Sequence, residues 1–335
     1  MGESRQIAKR CTENIDANIL YLKGKYSYLT FTPEGINKGI EFFEQALKRD
    51  PNYALPYSGL ADIYYNIPYF GIMPPREAIP RAKICLKKAL EIDEGQADTH
   101  ASLGRIIAFY DWNWVEADQE FQRALDLNPN SSIVHLDYSH FLSLIPSRQE
   151  EAILEASKAR ELDPLSVGIA MGTCEQLFWA GQFDRAIENS KVTILMDPNQ
   201  FYSHLLLGFP YLAKSMMKEA IAEFEKALDL SGGASVATFM LATAYYRIGS
   251  KTEANKLCDD LEDRVNREYV PSFYFFVLYK VRGELDHAFR WLEKACEDHD
   301  LHLPFALVWP DDVFRIPYDQ RSAELLKKVG LIKGA

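Results

Sequence analysis

The 335-residue chain carries 37 Lys and Arg against 48 Asp and Glu, a formal net charge of -11, so it offers no broad cationic surface for phosphates and nucleic acid is not an expected ligand. No run reaches the roughly 18 apolar residues of a membrane span, and the start, MGESRQIAKRCTEN, is polar rather than signal-like. The five cysteines, Cys11, Cys85, Cys174, Cys258 and Cys296, lie far apart with no CxxC pair, which fits free thiols in a reducing, cytoplasmic setting and leaves no sign of membrane attachment.

Residues 1–13 read as a polar lead. An apolar segment around Ile19 to Leu29 then passes through TPEG into the amphipathic run INKGIEFFEQALKRDP, where Phe43 and Ala46 face inward. Asp50, Asn128, Asp163 and Asp197 each precede a proline. Proline disfavours the helical conformation of the residue before it, so each marks the end of a helix. The stretch NIPYFGIMPP, with Pro68, Gly71, Pro74 and Pro75, predicts a loop whose Tyr69, Phe70 and Met73 tuck back onto neighbouring helices. At YDWNW, Trp112 and Trp114 are expected to wedge between repeats, and Ala156 stands where an aromatic residue often sits. Residues 167–234 hold two 34-residue units back to back, the second with Pro210 inside its first helix, where a local bend is expected. Gly249 and Gly283 keep the later inter-helix turns. After Asp300, LHLPFALVWPDDVF reads as an extended apolar crossing. YDQRSAELLKKVG reads as an amphipathic helix whose Tyr318, Leu325, Leu326 and Val329 cover the open end of the array.

One small residue ties these segments together. Alanine recurs at Ala82, Ala117, Ala152, Ala186, Ala220, Ala254 and Ala288, at steps of 35, 35, 34, 34, 34 and 34 residues, and Gly39 holds the equivalent place earlier. This period, with its aromatic and turn positions, resembles the tetratricopeptide (TPR) repeat. The resemblance implies an all-α fold, a right-handed α-solenoid of about eight TPR helix pairs with a C-terminal capping helix. The array is expected over residues 14–300, with boundaries near 51, 94, 129, 164, 198, 232 and 268, followed by a crossing segment and capping helix over 301–335.

The elements YLKGKY, TPEG, PNYALPYSGLAD, PPREAIPRAK, YDWNW, LDPLS, SGG and YDQRSAELLKKVGL look like one bacterial group. In it a long TPR region forms the carboxy-terminal half of multidomain regulators, joined to a class III nucleotide cyclase, a winged-helix DNA-binding domain or a protein kinase. No cyclase, winged-helix or kinase sequence is present here, so that activity does not carry over, and the chain is expected to be either an excised half or a free-standing relative.

Reactive groups do not converge in the sequence. It has no Gly-rich phosphate loop, HExxH, GxSxG or kinase signature, and no enzyme activity, cofactor or metal is expected. His100, His135 and His204 share the fourth position of their repeats and read as packed core histidines. Asp298, His299, Asp300 and His302 read as a solvated turn rather than a metal site.

First helices of TPR units line the concave face. The positions that look into it supply Phe178, Tyr202, Leu205, Phe209, Leu212, Phe239, Tyr246 and Phe273, with Arg105 and Glu175 as polar determinants. The Lys, Asn and Arg set that grips a terminal carboxylate in chaperone-binding TPR proteins is missing. The surface instead suits an apolar peptide or a partner's amphipathic helix, as in a protein-protein interaction scaffold of a signalling or transcription system. Coverage by the chain's own carboxy-terminal segment is the structural alternative. Enclosure of a small-molecule effector in a sensing domain is the functional one.

Overall fold

The computed structural model describes residues 12–29, 32–317 and 319–332, so most of the polar lead, Cys11 and Tyr318 lie outside the described residues. Every regular element described is helical. Eight helix pairs follow one another, the architecture of TPR proteins, and the chain divides into two compact modules, the first ending at Pro129 and the second running from Asn130. The first module holds three pairs, α1 (Ile15–Tyr28) with α2 (Pro33–Arg49), α3 (Ala54–Asn66) with α4 (Pro75–Ile92), and α5 (Ala97–Phe109) with α6 (Trp114–Leu127). The second holds five: α7 (Ser132–Leu142) with α8 (Gln149–Leu162), α9 (Val167–Trp179) with α10 (Phe183–Met196), α11 (Phe201–Ala213) with α12 (Met217–Ser231), α13 (Ser235–Ile248) with α14 (Lys251–Arg264), and α15 (Ser272–Arg282) with α16 (Leu285–Asp298). A short α17 (Leu303–Ala306) and α18 (Gln320–Val329) complete it. No helix among the described residues is long and apolar enough to cross a membrane.

Helix ends follow local chemistry. Asn14 accepts the Ala17 N–H at 3.0 Å and Thr32 the Gly35 N–H at 3.1 Å, with Pro33 at the first helical position of α2. Asp50, Asn128, Asp163 and Asp197 all leave the helical region, with ψ of 94°, 87°, 78° and 96°. Asp93 does the same at ψ 94° without a following proline.

The recurring alanines are buried at 0 to 3% exposure, where only a small side chain lets paired helices close. A second rule emerges beside them in several pairs: a large residue on one helix is met by a glycine on the other. Phe43 lies over Gly24 and Gly59, Phe121 over Gly104 and Phe224 over Gly208, so near that an added Cβ at Gly208 would stand 2.2 Å from the Phe224 ring. Where the second helix is small instead, the first is not glycine. Ser139 accompanies Ala156, Cys174 accompanies Ser190 and Ala242 accompanies Cys258, all at most 1% exposed.

The stretch after α3 is not a plain loop. It forms a 3-10 turn, Ile67–Phe70, with Ile67 and Pro68 buried, while Gly71 at φ 69° closes it. Phe70 and Met73 pack on the cluster of Ile36, Phe43, Leu60 and Ile63. Trp112 is 7% exposed at φ 57°, its indole N–H donating to the Phe109 carbonyl at 3.2 Å. Helix α11 continues through Pro210.

The expected solvated turn at 298–302 is also different. Asp298 and Asp300 are 4% and 0% exposed because they serve the N-terminus of α15, whose first N–H groups lack helical partners. Asp300 accepts the Phe273 N–H at 2.9 Å and Asp298 the Ser272 hydroxyl at 2.9 Å. No group of three or more His, Cys, Asp or Glu side chains among the described residues could hold a metal. Burial pushes the Cys85 and Cys258 thiols up to about 11 and Cys296 up to about 12, which disfavours the reactive thiolate.

His100, His135 and His204 sit at 6 to 8% exposure, and each Nδ1 meets a glutamate of its own pair's second helix: Glu120 at 2.7 Å, Glu155, and Glu223 at 2.7 Å. The hydrogen bond that the His100 ring donates to Glu120 raises the His100 pKa, against the opposing effect of burial. A raised folded pKa means that this stabilisation is complete below the unfolded value of about 6.5 and is lost as pH rises through the folded one. Urea unfolding from pH 5.5 to 8.5 is therefore expected to show a loss of stability that is smaller in His100→Gln. Parallel profiles for the two proteins would refute the assignment.

Candidate binding groove

Four of the eight apolar positions expected to line a groove are brought together in the second module. Phe178 of α9, Phe209 and Leu212 of α11, and Met240 of α13 surround Trp309 and Phe314, closing on them without room for a water molecule. Phe178 lies 5.8 Å from Phe209 and 5.9 Å from Trp309, ring centre to ring centre. Phe239 of α13 stacks on Tyr274 of α15 at 4.3 Å and meets Phe314 edge-on at 5.9 Å. These side chains form one apolar wall, and Trp309 and Phe314 of the segment 301–317 pack against it.

That segment is not the extended crossing its composition suggests. It begins with α17 and then folds on itself. The Ile316 N–H donates to the Ala306 carbonyl at 2.9 Å and the Arg315 Nε to the Trp309 carbonyl at 2.9 Å. The loop is held from the wall by charge as well as by rings. Arg247 of α13 pairs with Asp311 at 2.5 Å, with both side chains at most 20% exposed. Lys280 of α15 donates to the Asp312 carbonyl at 2.5 Å and the Arg315 carbonyl at 2.7 Å; burial lowers its pKa. Outside these, Trp179 stacks on Phe305 at 4.9 Å and meets Trp309 edge-on at 4.6 Å.

The remaining expected positions fall elsewhere. Leu205 is 0% exposed within α11. Phe273 is 1% exposed beneath His302, ring centres 5.8 Å apart. Tyr246 turns away, its hydroxyl donating to Asn255 of its own pair at 2.6 Å. Glu175 accepts from His140 at 2.7 Å, and burial together with Glu175 holds the Tyr202 phenol well above the ordinary tyrosine range. Arg105 belongs to the first module, where it donates to Asp62 at 2.7 Å and lies 4.6 Å over the Tyr65 ring. Trp309, Phe314, Arg247 and Asp311 were not among the expected residues. The aromatic pair WPDDVF beyond the last repeat is the one signal that pointed to them.

Comparison with known proteins is consistent with this fold. No protein-family model matches the chain. The human IFIT1 dimer with m7Gppp-AAAA superposes with a TM-score of 0.59 at 15% identity, covering 84% of this chain and 72% of that one. Among curated proteins, the transcriptional regulator HilA of Salmonella typhimurium is 26% identical over 162 residues, 48% of this chain and 29% of HilA. Superkiller protein 3 of Schizosaccharomyces pombe is 23% identical over 263 residues, 74% of this chain and 18% of that protein. The chain therefore spans less than a third of the length of the curated relatives it matches.

Proposed function

We propose that the chain is a non-catalytic interaction scaffold, the regulatory part of a bacterial signalling or transcription system, whose groove takes an apolar peptide or partner helix in the place held by its own residues 301–317. The observation that carries this reading is how that segment is seated. Two aromatic anchors, Trp309 and Phe314, enter between first helices, Lys280 takes carbonyl groups, and Arg247 takes one carboxylate. A groove holds a foreign peptide with the same kinds of contact: rings supply the energy, and backbone and charged contacts set the register. The similarity to HilA, a transcriptional regulator, supports the regulatory setting.

A fluorescent peptide of residues 303–316 tests the reading by anisotropy. Wild-type chain, its groove filled, is expected to bind it weakly. Asp311→Ala, which frees the segment from Arg247 without altering the wall, is expected to bind about tenfold tighter, a change of about 1.4 kcal/mol. Equal binding by both proteins at equal helicity would sink it. A capped tetranucleotide, like that in the IFIT1 structure, is expected to leave the signal unchanged, given the net charge of -11.

A second reading, effector sensing, has one observation in its favour. A cavity of about 270 Å³ lies among α8, α9 and α10, lined in part by Arg160, Thr173, Gln176 and Arg185. Beside it the Gln176 amide, 1% exposed, has no hydrogen-bond partner on either atom among the described residues. Such a buried amide costs about 1–3 kcal/mol, which a small polar ligand would relieve once the Gln176 side chain turns into the cavity. A melting temperature rising with the logarithm of ligand concentration favours it; silence across a library of such compounds removes it.

A further inference from the structure

Helix α1 has two unlike faces. Ala17 and Gly24 face inward and are buried, with Phe43 against Gly24. The outward face exposes Ile15 at 74%, Ile19 at 46%, Leu22 at 54%, Tyr26 at 78% and Leu29 at 55%. Exposed large apolar side chains elsewhere among the described residues number at most two to a helix, the ordinary scatter of a protein surface.

These five residues follow one another at steps of 4, 3, 4 and 3. That is the spacing of the a and d positions in a coiled-coil seam, narrower than the face by which a helix joins a globular core. A seam of this kind is matched by another helix, and charge indicates which one. Asp16 flanks the stripe near its start, and Lys23 flanks the same side one heptad later.

We infer that α1 forms a homodimer contact by packing antiparallel on α1 of a second copy of this chain, through Ile15, Ile19, Leu22 and Tyr26. About a two-fold axis, a positions face d positions, so Ile19 meets the partner's Leu22 and Ile15 meets the partner's Tyr26. Asp16 then stands about 3 Å of axial rise, two residues, from the partner's Lys23, and symmetry makes that ion pair twice. A parallel pair would set Lys23 beside Asn18, leave Asp16 without a cation and align the two helix dipoles side by side. The five side chains expose on the order of 500 Å² per copy, below the roughly 800 Å² per partner of a standard interface. The dimer is accordingly weak and is sought at about 1–100 µM.

Sedimentation equilibrium of the full chain across that concentration range tests this. Wild type is expected to show a monomer–dimer equilibrium, and Leu22→Glu to weaken it at least tenfold at unchanged helicity, since Leu22 is half exposed. Asp16→Lys and Lys23→Asp should each weaken association, and the double variant Asp16→Lys/Lys23→Asp should restore it. A wild type that stays monomeric overturns the inference and leaves the face to another segment or a foreign partner. Dimers that ignore Leu22→Glu overturn it by showing that another surface associates. If Leu22→Glu fails to fold, the charge exchange still decides: failure of the double variant to recover association rejects the antiparallel pairing.

Discussion

Replacing Trp309 with alanine is expected to destabilise the second module by about 3–5 kcal/mol, the range for truncating a buried aromatic residue to alanine. Trp309 is 7% exposed and touches Phe178, Trp179, Phe209 and Phe314. Its removal leaves a cavity that α9 and α11 close only in part, because both are fixed by their second helices. Equilibrium urea unfolding should show a lower midpoint. Limited proteolysis should cut within 301–317 before it cuts the helices, since the segment loses its main anchor while Arg247 and Lys280 hold only its far side. A loss below about 1 kcal/mol would mean that the segment rests on the wall rather than completing it.

Gly208→Ala should cost about 1–3 kcal/mol, the range for overpacking, at the upper end because the new Cβ would lie 2.2 Å from Phe224 Cε1 and 2.7 Å from Cδ1. The Phe224 ring, 0% exposed, has nowhere to retreat. Pairing the change with Phe224→Leu should recover at least half the loss, because space is returned where the methyl group intrudes. Gly168→Ala is the control. Its Cβ would meet only the Ser166 hydroxyl at 3.8 Å, so in the first turn of the helix the change should be neutral or stabilise by a fraction of the roughly 1 kcal/mol seen in helix interiors. If both glycines respond alike, the steric account of Gly208 is wrong.

The repeat architecture was legible because its causes are local. Ala82 through Ala288 recur every 34 or 35 residues since each pair of helices must close at one small residue, and Asp50, Asn128, Asp163 and Asp197 end helices because of the proline next in sequence. That Phe178, Phe209, Leu212 and Phe239 come together was legible for the same reason, position within a repeat. Its occupant was not. Trp309 and Phe314 lie outside the period, and contact between distant segments leaves no periodic trace in a single chain. Tyr246 shows the limit from the other side: its position points to the groove, but Asn255 offers its hydroxyl a nearer partner. Asp298 and Asp300 looked solvated because the bare N-terminus they serve, at Ser272 and Phe273, lies a full helix pair earlier in sequence.

The matching of volumes within these helix pairs has a consequence for how such a chain can be rearranged. Phe224 fits Gly208, and Ser190 fits Cys174. Grafting α12 in place of α10 would set a phenyl ring against a thiol, and the reverse graft would leave serine facing glycine across a void. Duplication or recombination that moves a whole pair keeps both halves matched, whereas a crossover between its two helices inherits one half without its counterpart. The pair is therefore the smallest unit that moves with these contacts intact, while Phe43 against Gly59 and Leu136 against Gly172 tie each pair to its neighbour, and viable chimaeras should have their joints after Asp163 and Asp197, between pairs, rather than at the turns within them.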